Sequence, residues 1–331
     1  MNVTEERHKL TELVEERLRE LKLPSQPCSL YEPVKYTLSF GGKRIRPFFT
    51  LSGCGMCGGD SYEALSAAVA IELLHNFTLL HDDIMDSAST RRGNPSVFKK
   101  WDTPTAILSG DAMYAWAFEQ LQYYGESKLY SKEQYHDILD IFLESAKTVC
   151  EGQAYDIDFE KKRSVSTDEY ILMIEGKTAA LITGSFKMGG IVAGSPQNWI
   201  NRLEAIGNHV GIGFQIQDDL LDVVADPAKF GKKLGGDILS GKKTFLSILS
   251  LHRGTTEQQQ ILHQIFEKPD ATQKDLEKVI ELYRQLGVIE TAKKTIEEHY
   301  NQAIEHIELF ENSSSKADLK AFLLNLKNRE Y

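Results

Sequence analysis

Two apolar helical runs in this chain end on the same acidic pattern, and that pairing limits its fold and chemistry more than any other feature. The first run keeps apolar residues at Ala67, Ala70, Leu73, Leu74, Phe77 and Leu80 and closes on Asp82, Asp83 and Asp86. The second, in GFQIQDDLLDVV, closes on Asp218, Asp219 and Asp222. On a helix, Asp82 and Asp86 stack on one face with Cβ atoms about 5–6 Å apart. Asp is a poor helix former and like charges four apart repel, so folding alone gives no reason for the arrangement. Two chance copies of D-D-x-x-D in a chain of this composition are roughly a one-in-five-hundred event. Carboxylates are hard oxygen ligands that select Mg²⁺ or Mn²⁺, and Mg²⁺ usually takes only one or two of them while substrate phosphates complete its shell. The motifs therefore point to a phosphorylated substrate.

Composition bounds the remaining choices. The chain has 331 residues, 41% hydrophobic and 26% charged, enough for a large core. Its net charge of −10 argues against a nucleic-acid footprint. The N-terminus, MNVTEERHKLTELVEERL, reads as a charged amphipathic run rather than a signal peptide, and no stretch approaches eighteen uninterrupted apolar residues. The expectation is a cytoplasmic protein without a membrane span. Cys54 and Cys57 form a lone C-x-x-C with no second ligand pair for zinc, so free thiols are expected.

In chain order, one helix is expected from Thr4, its apolar period running through Leu21 up to Pro24, and a second over Leu30–Phe40, stopped by Gly41-Gly42. Lys43-Arg44-Ile45-Arg46-Pro47 follows where a new helix would begin, and glycines, a helix N-terminus and basic side chains together suit an anion. A long helix starts near Ser61, and its His75 lies two turns before Asp82 on the same face. Ser87–Thr90 reads as a polar loop leading to Arg91-Arg92-Gly93, whose guanidinium forks match phosphate oxygens. Helices are expected over 103–124, 132–159 and 198–224. Gln153 and Asp156 lie three apart on one face, where they either orient a metal-bound water or satisfy each other. Gly176-Lys177-Thr178 lacks the P-loop frame and reads as a helical kink presenting Lys177 to an anion. Gln215 shares a face with Asp218. Ala225–Thr244 reads as a Gly- and Lys-rich lid loop carrying Lys232, Lys233, Lys242 and Lys243, and 245–331 as four or five amphipathic helices. No β-hairpin pattern stands out.

Together these segments resemble the trans-isoprenyl (polyprenyl) diphosphate synthase family. LLHDDIMD followed by RRG is similar to its first aspartate-rich motif, and FQIQDDLLD followed by the GKK…GGD…GKKT loop to its second. GGKRIRP, Gly152-Gln153 and Gly176-Lys177-Thr178 match the remaining motifs in order, so the resemblance covers residues 41 to 244. It implies an all-α, single-domain antiparallel helix bundle over 1–331 around a central active-site cavity, the isoprenoid synthase fold, usually a homodimer. It also implies condensation of isopentenyl diphosphate with an allylic diphosphate (dimethylallyl, geranyl or farnesyl), supported by Mg²⁺, three ions per site, with Mn²⁺ able to substitute. By resemblance Asp82, Asp86, Asp218 and Asp222 bind metal, with Asp83 and Asp219 in support. Arg91, Lys177, Thr178, Gln215, Lys232 and Lys242 then contact the allylic side, and Gln153 lines the site. Gly42, Lys43, Arg46, His75 and Arg92 hold isopentenyl diphosphate.

Product length follows from a physical argument. The growing tail should run back along the helix before the first motif, where one turn rises 5.4 Å, close to one isoprene unit. Phe77 is a bulky floor five residues before Asp82, with Thr78 and Leu74 smaller beside it, which favours fifteen- or twenty-carbon products. By resemblance, the first motif lacks the two-residue insertion of typical bacterial farnesyl synthases, which tilts the expectation to twenty carbons, geranylgeranyl over farnesyl diphosphate. A terpene cyclase shares the fold class but needs no second diphosphate site, and a non-catalytic subunit should have lost acids that are all present here.

Overall fold

The computed structural model describes residues 3–224, 235–268 and 270–328, with side chains from residue 7 onward. Almost every described element is helical. The order is α1 (Val3–Arg19), α2 (Cys28–Ser39), α3 (Ile45–Met56), a 3₁₀ turn (Ser61–Ala64) and α4 (Leu65–Met85). After a short hairpin come α5 (Val97–Lys100), α6 (Thr103–Glu126), α7 (Lys132–Lys161) and α8 (Thr167–Ile174). A π-helical turn at Glu175–Ala179 leads into α9 (Ala180–Val192) and α10 (Gln197–Val224). Then follow α11 (Gly236–Leu239), α12 (Phe245–Arg253), α13 (Thr256–Phe266), α14 (Gln273–Gln285), α15 (Val288–Glu308) and α16 (Ser314–Lys327).

Two compact units can be distinguished. The first comprises the chain up to Ala146 with Gly184–Glu204 and Phe310–Leu319; the second comprises Lys147–Thr183, Ala205–Leu309 and the chain from Lys320. In the first, α4 is the core helix. Its Ala67, Ala68, Val69, Ala70, Ile71, Leu73 and Leu74 are wholly buried, and α6 and α3 flank it. Ser61–Met85 is long and apolar enough to cross a membrane, but 67% of its apolar window is buried inside the protein, as in a core helix. α3 and α9 touch backbone to backbone, since a Cβ on Gly53 would lie 2.7 Å from the Phe186 carbonyl oxygen.

In the second unit glycines again set the helix spacing. A Cβ on Gly207 or Gly211 would come within 2.4 Å of the Thr183 or Ala179 Cα. The Tyr300 hydroxyl of α15 donates to Gln217 Oε1 at 3.1 Å, and Gln217 Nε2 donates to the Leu326 carbonyl at 2.8 Å, tying α10 to α15 and α16. Capping boxes at Ser166/Glu169, Thr244/Ser247, Thr255/Gln258 and Thr272/Asp275 start α8, α12, α13 and α14. Each cap is worth roughly 1 kcal/mol.

Three expectations need correction. A β-hairpin exists: Thr90–Arg91 pairs antiparallel with Asn94–Pro95 through Arg92 (φ 51°) and Gly93 (φ 77°). Two consecutive left-handed residues make a tight turn, and strands of two residues are too short to show alternation. The segment read as a continuous lid loop contains the one-turn helix α11. The first helix ends at Arg19, short of Pro24.

Candidate functional site

Both acidic triplets lie at the C-terminal ends of helices, α4 and α10, with no basic residue in either last turn. The macrodipole is negative in each last turn, so Asp82, Asp86 and Asp222 are each disfavoured by about 0.3–1 kcal/mol there and a cation is favoured. Helical geometry divides each triplet in the same way. In the first, Asp82 is half-buried and Asp86 exposed, while Asp83, one residue on, turns into the protein and is only 4% exposed. Asp83 Oδ1 accepts from Arg91 Nε at 2.9 Å and also from Nη2. Burial raises the Asp83 pKa, with the Arg91 guanidinium opposing. Arg91, expected on a diphosphate, therefore also serves as the counter-ion of the middle aspartate.

The second triplet repeats this division. Asp218 is exposed and Asp222 half-buried, while Asp219 is 5% exposed. Asp219 accepts from the Tyr170 hydroxyl at 2.5 Å, the Phe245 amide at 3.0 Å and Gln215 Nε2 at 3.0 Å. Burial and then Asp237 raise its pKa to about 7, against those three donors. Asp222 accepts from the amides of Gly236 and Asp237 at 3.2 and 3.0 Å, tying the end of α10 to α11.

The basic motif resolves into one inward and two outward arms. Gly41 (φ 64°) closes α2. Arg44 stands in the left-handed region (φ 44°, ψ 44°) as the N-cap of α3, its side chain fully buried between Glu15 and Glu72. Lys43 is exposed and Arg46 half-buried. Arg46 Nη1 donates to His75 Nε2 at 3.2 Å. Burial, then Arg46, Arg92, Arg91 and Arg44, push the His75 pKa well below its usual value, so the imidazole is neutral and accepts. Arg92 donates through Nη1 to the Gly41 carbonyl, and its guanidinium lies 3.2 Å from where a Gly42 Cβ would stand. Gly42, Arg46, His75 and Arg92 thus converge on one cationic patch.

In the second unit, Gly152 and Gly176 let α7 and the π-turn cross backbone on backbone. This crossing sets Lys177 Nζ 2.5 Å from Asp156 Oδ2 and Thr178 Oγ1 2.8 Å from Gln215 Oε1. Asp156, read as a partner of Gln153 or of water, is instead the counter-ion of Lys177; Gln153 is buried. Asp156, Tyr170, Lys177, Asp219, Asp237 and Lys242 line a recess of about 90 Å³. Lys232 and Lys233 lie outside the described residues.

Phe77 and Thr78 are half-buried, whereas Leu74 is wholly buried. The Phe77 ring meets His81 at 4.7 Å and Tyr114 of α6 at 5.4 Å. Cys54 and Cys57 are free; burial pushes both thiols up, Cys54 to about 12, which leaves them protonated and unreactive. Tyr170, Glu15 and Glu72 escaped the sequence reading, and Asp237 entered it only as the last residue of the GGD segment, without a role. Of the three, Glu72 carried a signal, a lone acid inside the apolar run AIELLHN.

No group of three His, Cys, Asp or Glu among the described residues converges on one point. All-carboxylate donors at negative helix ends, with at most two per motif facing outward, fit Mg²⁺ that is completed by phosphate oxygens.

The polyprenyl synthetase family model matches residues 27–283. A short chain isoprenyl diphosphate synthase of Methanothermobacter thermautotrophicus is 37% identical over 331 residues, all of both chains. A geranylgeranyl diphosphate synthase of Saccharolobus solfataricus is 38% identical over 88% of this chain and 86% of its own. The crystal structure of geranylgeranyl pyrophosphate synthetase from Pyrococcus horikoshii superposes with a TM-score of 0.93 at 36% identity, over 99% of this chain and 98% of that one.

Proposed function

The chain belongs to the polyprenyl synthetase family and has its all-α isoprenoid synthase fold, and from this premise we propose that it makes geranylgeranyl diphosphate from isopentenyl diphosphate and shorter allylic diphosphates. It is a prenyltransferase of chain elongation. The observation that carries the finer reading is the shared division of the two triplets, with a buried middle aspartate held by protein donors and outer aspartates that are half-buried or exposed.

Asp82 and Asp86 in the first unit, and Asp218 and Asp222 in the second, would each hold Mg²⁺, which when bound neutralises a diphosphate and makes it a better leaving group. Asp83 and Asp219 fix the helix ends that carry them. Lys177, held by Asp156, and Thr178, held by Gln215, orient the allylic diphosphate at the second unit's motif. Arg46, Arg92 and Lys43 bind the diphosphate of the second substrate, whose double bond attacks the allylic carbon. Neutral His75 accepts from Arg46 and so keeps its guanidinium aimed. The proton lost after attack leaves with the released diphosphate. Phe77, braced by Tyr114, stops the tail near twenty carbons.

The chain acts as a homodimer in this reading. Ile107 and Leu108 on α6 and Leu143 on α7 are 41%, 59% and 44% exposed, an apolar set suited to a second copy. The test is incubation with Mg²⁺, labelled isopentenyl diphosphate and dimethylallyl, geranyl or farnesyl diphosphate in turn, with products sized by mass spectrometry. Products ending at twenty carbons are expected, and EDTA should abolish them. No elongation with any primer would overturn the proposal.

A further inference from the structure

Arg44 lies in the middle of the basic motif, yet its guanidinium is turned away from any ligand. Its side chain is fully buried and reaches three other elements. Nε donates to Glu15 Oε1 of α1 at 2.7 Å, Nη1 to Glu72 Oε1 of α4, and Nη2 to the Leu38 carbonyl of α2 at 3.4 Å. Asn76 Nδ2 in turn donates to Glu72 Oε1 at 3.1 Å, which fixes that carboxylate. The backbone of Arg44 is left-handed, a conformation that persists in a non-glycine residue only where its surroundings enforce it.

We propose that Glu15 of the N-terminal helix, with Glu72, is a positioning residue for isopentenyl diphosphate. The two carboxylates clamp Arg44 and thereby hold the strained turn from which Lys43 and Arg46 reach the substrate. This rests on the reading of the Gly42, Lys43, Arg46, His75 and Arg92 patch as the isopentenyl diphosphate site.

The geometry carries the step from clamp to ligand. Arg44 is the N-cap of α3, and Arg46 follows two residues later in its first turn. Glu72 and His75 lie three apart, on one face of α4. One grips Arg44 and the other accepts from Arg46, so a single helical face sets the turn and the side chain beyond it. Glu15 completes the grip from α1, and it lies outside residues 27–283 that match the family model. Two carboxylates against one guanidinium leave a surplus negative charge, and while burial lowers the Arg92 pKa on the same patch, Glu72 and Glu15 both oppose that shift. α1 is therefore part of the anion site's framework, although none of its side chains need touch the anion.

The experiment compares wild type, Glu15→Ala, Glu15→Gln and the control Glu12→Ala, which removes an exposed carboxylate of α1 paired with His8. KM is measured for each substrate separately, alongside melting temperature. Glu15→Ala should raise KM for isopentenyl diphosphate about tenfold, the usual effect of losing a supporting partner, with kcat and the allylic KM within about twofold. Glu15→Gln, which keeps the acceptor oxygen, should recover most of the loss, and Glu12→Ala should match wild type. An unchanged KM, or a loss of activity that only follows loss of folded protein, overturns the proposal. If wild type elongates nothing, the functional reading fails on its own, and calorimetry with inorganic pyrophosphate then decides the positioning role. About tenfold weaker binding by Glu15→Ala sustains it, and equal affinity refutes it.

Discussion

Gly152→Ala tests whether the second half of the site is built on a backbone crossing. A Cβ there would lie 2.0 Å from the Lys177 amide nitrogen, 2.5 Å from the Gly176 carbonyl carbon and 2.7 Å from the Lys177 Cα. Ordinary contact begins at 3.4 Å, so α7 and the π-turn must part by 3.4 − 2.0 = 1.4 Å. All three neighbours are backbone and cannot rotate away. The same shift would stretch the 2.8 Å Thr178–Gln215 bond to 4.2 Å, past hydrogen-bond reach. Overpacking of this kind costs about 3 kcal/mol, and one lost buried hydrogen bond adds about 1 kcal/mol. The melting temperature should fall by roughly 8 °C, given about 2 °C per kcal/mol for a chain of this size. A displacement above 1 Å at Lys177 should also cost on the order of 10² in kcat/KM. Gly176→Ala is the internal comparison, since its Cβ would meet the Gly152 Cα at 2.9 Å and the Thr148 oxygen at 3.0 Å, a much smaller misfit. Thermal melts and steady-state kinetics of both variants are the assay. Equal losses for the two, or a Gly152→Ala enzyme that melts and turns over like wild type, would refute the crossing as the organising contact.

Three further outcomes are expected. Phe77→Ala opens the space beside Tyr114 and should give products longer than twenty carbons by mass spectrometry; an unchanged product would remove Phe77 as the floor. The His75 pKa is lowered in the fold, so below the unfolded value of about 6.5 the unfolded chain binds a proton that the folded one refuses. Stability should fall as pH drops through 6.5, by no more than about 1.4 kcal/mol from this residue by pH 5.5. His75→Asn should flatten that part of the urea-midpoint profile, while His209 and His299, shifted the same way, retain theirs. Leu108→Glu, at a position 59% exposed, should convert dimer to monomer in sedimentation; a variant that stays dimeric would show that a different face pairs.

The parts of this fold that read directly from sequence are those written in a local period. Apolar residues three and four apart gave α4 and α10, and the same spacing put Asp82 with Asp86 on one face and turned Asp83 about a quarter of the way round, into the protein. Gly41 marked the end of α2 because a left-handed closing residue favours glycine. What stayed hidden depends on partners far apart in the chain. Nothing near Asp219 announces Tyr170, 49 residues earlier. Among the basic residues of the GGKRIRP segment, only the fold separates Arg44, turned inward to Glu15 and Glu72, from Lys43 and Arg46. Gly152 stood out only as part of a motif and Gly176 as a helical kink, whereas together they let α7 and the π-turn cross backbone on backbone.

The division within each acidic triplet has a consequence of opposite sign for neighbouring residues. Asp82 is a half-buried carboxylate at the negative end of α4, and Asp83 is a buried one with a guanidinium partner. Asp82→Asn removes charge where the helix dipole disfavours it, so the metal-free protein should keep its stability or gain up to about 1 kcal/mol. Activity should nevertheless drop on the order of 10²–10³, with more Mg²⁺ needed for half-maximal rate, if the outer carboxylates carry the cation. Asp83→Asn leaves Arg91 against a neutral amide in a buried position. Loss of a charge-assisted hydrogen bond there should cost about 1.5–3 kcal/mol. Folding burial and charge into one measure, the two variants should move apart in melting temperature without Mg²⁺ and diverge in how added Mg²⁺ restores the rate. If Asp82→Asn destabilises as much as Asp83→Asn, the outer carboxylate is a structural group, and the cation has to be held elsewhere.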